Sequence, residues 1–193
     1  MNEIEEANFN AGNFERANLK RANFKEDKLE GSNFIGADFI KANLKEVYFE
    51  GAKLRETNLK WCNLRGANLH KADLRETNLR ETDLKRANFI RANLQGANLR
   101  EVNLEGADLN WAILRGANLA GANLRGANFT GANLTWANLE GTNLEGANFE
   151  GTNLSGAHYL SFNQLSKVKT LLNAKLNGDV LKSLKEKHST LFE

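Results

Sequence analysis

Apolar residues recur at every fifth position along most of the chain. From Ile4 to Leu154, the 31 positions in this register hold 21 Leu, nine Phe and one Ile, without insertion or deletion. Two residues before each of these centres, 19 positions are Ala, and one residue before, 22 are Asn and four are Asp. The repeated unit is therefore Ala-Asn-Leu/Phe followed by two variable residues.

A period of five fits neither a straight helix nor a straight strand. On a helix, each apolar centre would lie about 140° from the last, and on a strand successive centres would alternate between faces. The pattern works if the chain turns a corner in every repeat, so that each Leu or Phe points to one common axis. Asn and Asp side chains favour such turns, and Gly, which fills the last repeat position 14 times, accepts positive φ.

The composition excludes several classes of protein and is consistent with the repeat. The chain has 193 residues, a net charge of +2 and one cysteine, so a disulfide scaffold and a cysteine-based zinc site are excluded. No apolar run is long enough to span a membrane, and the acidic start MNEIEEANFN lacks the apolar centre of a secretory signal. These features predict a cytoplasmic protein.

The five-residue unit resembles that of the pentapeptide-repeat proteins. This resemblance implies an all-β solenoid, a right-handed quadrilateral β-helix with four repeats per coil. On that winding, residues 1–159 would form about eight coils, followed by a short α-helical C-terminal cap in residues 160–193. A single coil buries too little apolar surface to fold alone, so the column is predicted to fold cooperatively.

The C-terminal segment is predicted to be helical. Ser161 and Gln164 have the spacing of a capping box, and a second short helix would carry Val180, Leu181 and Leu184. The apolar side chains of the first helix would either cover the last coil or make a two-fold dimer, as C-terminal ends do in some relatives. These candidate cap or dimer contacts are Phe162, Leu165, Val168, Leu171 and Leu172.

Charge is organised once the chain is wound with four repeats to a coil. Residues 53–100 carry 11 basic and five acidic side chains, whereas residues 101–159 carry two basic and six acidic ones. Two neighbouring outward columns form a basic ridge, which consists of Lys20, Lys25, Lys45, Lys60, Arg65, Arg80, Lys85 and Arg100. The ridge would either bind an anion or acidic partner, or be a solvated surface whose charge nearby glutamates balance.

Several positions depart from the repeat. A bulge or local widening of the coil is favoured over a ligand site at Asp27, Lys28, Val47, Tyr48, Lys53 and Ile113. Cys62 replaces an inward Ala and is predicted to be a buried, unreactive thiol. Trp61, Trp111 and Trp136 fall on three different corners, so they are predicted to form no stacking platform for bases.

No motif for catalysis, a metal or a cofactor occurs in the sequence, so an enzyme is not predicted.

The favoured hypothesis is a structural or interaction protein that presents flat solenoid faces to a protein partner, with a possible homodimer through the C-terminal end. One alternative, implied by the resemblance, is a DNA-mimic modulator of DNA gyrase of the quinolone-resistance type. The near-neutral charge disfavours it. Nucleic-acid binding through the basic ridge is a further alternative.

Overall fold

The chain winds into a four-sided column of stacked coils. The structure is a computed structural model and describes residues 8–176 and 178–193. Parallel β-bridges join each repeat to the one four repeats later, from Asn8 with Lys28 to Asn138 with His158, and four bridge positions begin within each coil. The quadrilateral β-helix expected from the repeat is thereby confirmed, with one bridge residue at the centre of each side.

The corners are uniform in backbone geometry. The last repeat position has a positive φ, between 62° and 70° at its glycines and between 54° and 65° at its other residues. This left-handed conformation costs a residue with a side chain about 1–2 kcal/mol. The ladder offsets that cost: the N–H of Trp111, for example, donates to the carbonyl of Thr130 at 2.9 Å. Every corner can therefore turn whether or not it holds a glycine.

The Asn residue before each apolar centre makes two kinds of hydrogen bond. Its Oδ1 accepts from the backbone N–H two residues later, as from Ile35 to Asn33 at 3.2 Å. In several columns its Nδ2 also donates to the residue one coil below, as from Asn43 to Asn23 Oδ1 at 2.7 Å. The asparagines thus brace the corner and link neighbouring coils, in line with the preference of this residue for turns.

Stacked Leu and Phe side chains fill the axis of the column. The centres from Leu29 to Leu154 are buried, and the small residues two positions before them pack between them. Phe129 and Phe149 stack with ring centroids 5.0 Å apart and planes inclined by 5°. Because the axis is filled from Leu29 to Leu154, the side chains of this part of the column that are available for chemistry are those of the outer surface.

The irregular repeats do not bulge, so that expectation was wrong. Lys28 pairs with Tyr48 and Tyr48 pairs with Asn68 in the ordinary register, and Ile113 pairs with both Asn93 and Asn133. The backbone carries the ladder, and a side chain that points outward at a bridge position does not enter the core. Such substitutions therefore change the surface of a coil without changing its path.

The C-terminal segment continues the ladder before it becomes helical again. Helix α1 spans Phe162–Leu165 and begins at the predicted capping box of Ser161 and Gln164. The helix ends there instead of extending to Leu172. Thr170 then pairs with Asn148, and Lys175 pairs with Asn153. The open N–H and C=O groups of the last coil explain the difference, because they would otherwise lack partners.

The rest of the segment closes the end of the column. Helix α2 spans Gly178–Lys187, and a 3₁₀ helix spans Ser189–Phe192. The side-chain amide of Gln164 donates to the carbonyl of Leu139 at 3.0 Å and to Thr142 Oγ1 at 2.9 Å. Leu184 is buried and Leu191 nearly so. The cap thus supplies hydrogen-bond partners to polar groups of the final coil and covers its apolar side chains.

Cys62 lies inside the column, and burial raises the pKa of its thiol to about 12. Its Sγ donates to the carbonyl of Phe39 at 2.9 Å. We expect iodoacetamide to alkylate Cys62 about a thousandfold more slowly in the native protein than in urea, because thiolate is the reactive form. Mass spectrometry of timed samples measures both rates. Similar rates in the two conditions would contradict the burial of this thiol.

Candidate functional site

The basic ridge is present as two stacked columns of outward side chains. The carbonyls of Arg65 and Lys85 accept from the backbone N–H groups of Glu46 and Gly66 in the coil below, which places successive ridge residues one coil apart. A shallow surface depression of about 200 Å³ is lined by Lys45, Arg65 and Lys85, together with Glu46 and Arg86. The ridge therefore has the geometry of a continuous strip.

Each ridge cation, however, has a local partner. Seven of the eight lie within ion-pair distance of a carboxylate, and the eighth lies over an aromatic ring. The pairs are Lys20–Asp38 at 3.2 Å, Lys25–Glu26 at 2.7 Å, Lys45–Glu46 at 3.3 Å, Arg65–Asp83 at 3.5 Å, Arg80–Glu81 at 3.0 Å, Lys85–Glu105 at 2.9 Å and Arg100–Glu101 at 3.8 Å, with Lys60 Nζ 3.7 Å from the Trp61 ring centroid.

Contacts along the ridge lower the pKa of three of these carboxylates. The hydrogen bond from Lys85 lowers the pKa of Glu105, and the hydrogen bond from Lys25 lowers the pKa of Glu26. The indole N–H of Trp61, 2.9 Å from Glu81 Oε2, lowers the pKa of Glu81, with Arg80 contributing. The ridge contacts thus favour the charged form of these three carboxylates.

Because its charges are matched, the ridge is expected to bind nucleic acid weakly. We expect a 30-base-pair DNA duplex to bind the parent and the Lys60/Arg65/Arg80/Lys85→Glu variant equally weakly at 50 and 200 mM salt, since few counterions would be released. Fluorescence anisotropy with labelled duplex measures this, and circular dichroism checks that the variant is folded. Tight parent binding that falls steeply with salt and is lost in the variant would make the ridge a nucleic-acid site.

The candidate cap or dimer contacts differ in accessibility. Leu165, Val168 and Leu171 are buried within the chain, whereas Phe162 and Leu172 are half-buried. The Phe162 ring also lies 5.4 Å from the His188 ring, between centroids. A dimer through this end would therefore use Phe162 and Leu172, and it remains a prediction.

Two of the three tryptophans share a side of the column. Trp61 lies beside the ridge, where Glu81 and Lys60 hold it. Trp111 and Trp136 lie on neighbouring corners and border the same face, with exposed fractions of 62% and 56%. Sequence reasoning placed the residues on separate corners but did not notice that these two corners are adjacent. Their positions within a four-repeat coil already contain that signal.

Among residues 8–176 and 178–193, no group of three or more His, Cys, Asp or Glu side chains is placed to hold a metal ion. The helices of that same part of the chain are all too short or too polar to cross a bilayer.

Comparison with known protein families identifies the same five-residue repeat. The family model for pentapeptide repeats matches in eight copies, over overlapping segments that begin with 4–39 and end with 127–158. No curated protein sequence matches the chain.

Solved structures of similar proteins are also found. HetL, a pentapeptide repeat protein involved in heterocyst differentiation regulation from the cyanobacterium Nostoc, is 29% identical; the match covers 90% of this chain and 91% of HetL, with a TM-score of 0.43. A pentapeptide repeat protein from the Arabidopsis thaliana thylakoid lumen is 38% identical over 52% of this chain and 66% of its own, with a TM-score of 0.40. QnrB1, a plasmid-mediated fluoroquinolone resistance protein, is 19% identical over 100% of this chain and 95% of its own, with a TM-score of 0.50. This last similarity shows the fold alone.

Proposed function

The chain belongs to the pentapeptide-repeat family, whose members form right-handed quadrilateral β-helices, and on that premise we propose that it is a non-enzymatic interaction protein. Its flat faces would bind a protein partner. The observation that carries this proposal is the filled axis, because Leu and Phe occupy the interior and leave four outer faces as the working surface.

The faces suit this role because they are preorganised. Outward side chains repeat at about 4.8 Å from coil to coil, and the ladder fixes their positions. A rigid surface loses little conformational freedom on binding, so more of its contact energy is available for affinity. The column can therefore bind a partner without rearrangement.

A DNA-mimic modulator of gyrase remains an alternative. Such a mimic needs a continuous row of carboxylates, whereas the two ridge columns carry cations through the middle coils. The likeness to QnrB1 supports the shared fold and does not extend to its activity. An interaction protein that binds its partner through the flat faces needs no such row of carboxylates.

Site-specific photo-cross-linking tests the proposal. A photoreactive phenylalanine derivative would replace one outward residue near each of the four corners of one coil, at Arg125, Thr130, Thr135 or Glu140. In native extract of the source organism, we expect one protein to cross-link from one position or from two adjacent ones. Unfolded variant protein, irradiated in the same extract, is the control.

A negative result is equally clear. Absence of any specific cross-link from all four positions would contradict the proposal, as would an identical set of proteins at every position and in the unfolded control. Gyrase as the captured protein would support the alternative.

A further inference from the structure

Three departures from the repeat meet on one side of the column, near its C-terminal end. This side, here called the aromatic face, consists of residues 92–96, 112–116, 132–136 and 152–156, with Trp111 at its leading edge. Ile113 lies at its centre and is 39% exposed, and Trp136 lies at its far edge in the next coil. A single repeat separates the two edges, so the edges lie at most about 18 Å apart.

Both indole rings lie flat against the column. A Cβ added to Gly131 would come within 2.8 Å of Trp111 Cε3, and one added to Gly156 would come within 2.5 Å of Trp136 Cε3. Each ring thus covers a glycine of the next coil, and its other side faces solvent. The two glycines, which have positive φ, leave the space that these rings occupy. The result is two flat apolar platforms at opposite edges of one face.

The core does not need these residues. Trp111 and Trp136 adopt φ values of 57° and 61°, at a corner position where glycine is the most frequent residue. Ile113 stands where most other repeats have an Asn that braces the corner and links coils, as Asn128 does with Asp108 at 3.1 Å. Each of the three residues lowers local stability and leaves apolar surface exposed, which is typical of residues retained for binding.

The charge on the aromatic face differs from that of the rest of the column. The face and its leading edge contribute no carboxylate of their own, and the one carboxylate that reaches the face is that of Glu76 in the coil before, which lies against Gly96 at the far edge. Arg115 lies on the face between Ile113 and the Trp136 edge, and Arg91 lies at the leading edge one coil before Trp111. Among the residues that the structure describes, no carboxylate lies within ion-pair distance of the Arg115 guanidinium. The face thus offers two apolar platforms and one cation between them.

We propose that the aromatic face binds an extended segment of a partner protein that carries apolar or proline residues on both sides of a carboxylate. The outer residues would pack on Trp111, Ile113 and Trp136, and the carboxylate would pair with Arg115. The inference rests on the proposed function, since it assumes a protein partner and names the face and the chemistry of its contact.

Two other occupants fit less well. In a two-fold dimer centred on the face, Arg115 would meet its own copy, and the patch of about 250 Å² is below the 800 Å² or so that each partner of a stable interface buries. A single-stranded nucleic acid needs a cationic groove, whereas residues 101–159 carry six acidic and two basic residues.

Peptide selection tests the inference directly. A phage library of random dodecapeptides would be selected on the parent and on the Trp111→Gly/Trp136→Gly variant. Glycine is chosen because it is the usual residue at this corner. Trp61→Gly is the matched control, since it removes a tryptophan from the same repeat position on another corner.

We expect the parent to select peptides with apolar or proline residues around an Asp or Glu. A synthetic peptide of that sequence should lose at least tenfold in affinity for the double variant and several-fold for Arg115→Gln, with no change for Trp61→Gly. Isothermal titration calorimetry measures these affinities, and equal melting of parent and variants shows that the loss is local.

Other outcomes would overturn the inference. These are the absence of a selected peptide, equal binding by the double variant, and a parent dimer that the double variant loses in sedimentation. If the cross-linking experiment nevertheless finds a protein on another face, the proposed function stands and only the assignment to the aromatic face fails.

Discussion

Replacement of Leu84 by lysine is expected to unfold several coils together. Leu84 is fully buried at the axis, and its backbone N–H donates to the carbonyl of Asn103 at 2.8 Å. A lysine ammonium there would have no carboxylate or water to receive it, so we expect the free energy of unfolding to fall by more than about 4 kcal/mol. Urea unfolding followed by circular dichroism measures the loss, and hydrogen exchange shows how far it spreads along the column.

The neighbouring surface residue supplies the control for Leu84→Lys. Lys85→Gln changes an outward side chain in the same repeat and should alter stability by about 1 kcal/mol or less, since its ion pair with Glu105 lies at the surface and is partly exposed. A Leu84→Lys protein that melts like the parent would show that the axis is not packed as described.

Replacement of Leu165 by aspartate is expected to open the C-terminal cap and cause self-association. Leu165 is fully buried at the end of helix α1, and a charged side chain there should weaken the cap by about 3–5 kcal/mol. The ladder groups of the last coil that now bond to residues 167–175 would lose their partners and become available to another chain. Light scattering across a concentration series measures the association.

Asn163→Asp is the matched control for the cap, because it adds the same charge at an exposed position of helix α1. That variant should stay as monodisperse as the parent. If Leu165→Asp also kept the parent's scattering and hydrogen-exchange protection, helix α1 would not be part of the closure of the column.

The column could be predicted from sequence because each repeat has the same environment as the repeat one coil away. The apolar centres recur every five residues without a break, and most repeats also have a small neighbour and an Asn. The backbone ladder needs nothing else. For the same reason Lys28, Tyr48 and Ile113 cause no bulge: their side chains point outward, where the repeat tolerates variation. The expectation of a bulge overestimated what an outward residue can do to the backbone.

The tail and the aromatic face were harder to foresee. The apolar spacing of Leu165, Val168 and Leu171 fits a helix, but open hydrogen-bonding groups of the last coil, which no local pattern reports, draw residues 167–175 into the ladder. Likewise, Trp111 and Trp136 are five repeats apart in sequence and become neighbours across a face only when the winding is known. Both cases depend on contacts between distant residues.

The uniform corners have a consequence for how this protein can evolve. Since every repeat turns the chain through one side of the square, gain or loss of a single repeat rotates everything downstream by a quarter turn while leaving the core intact. An added repeat between Gly116 and Gly131 would move Trp136 to the next side of the column, away from Trp111. Gain or loss of four repeats would restore the alignment, so lineages that keep the two tryptophans on one face should vary in length between them by whole coils only.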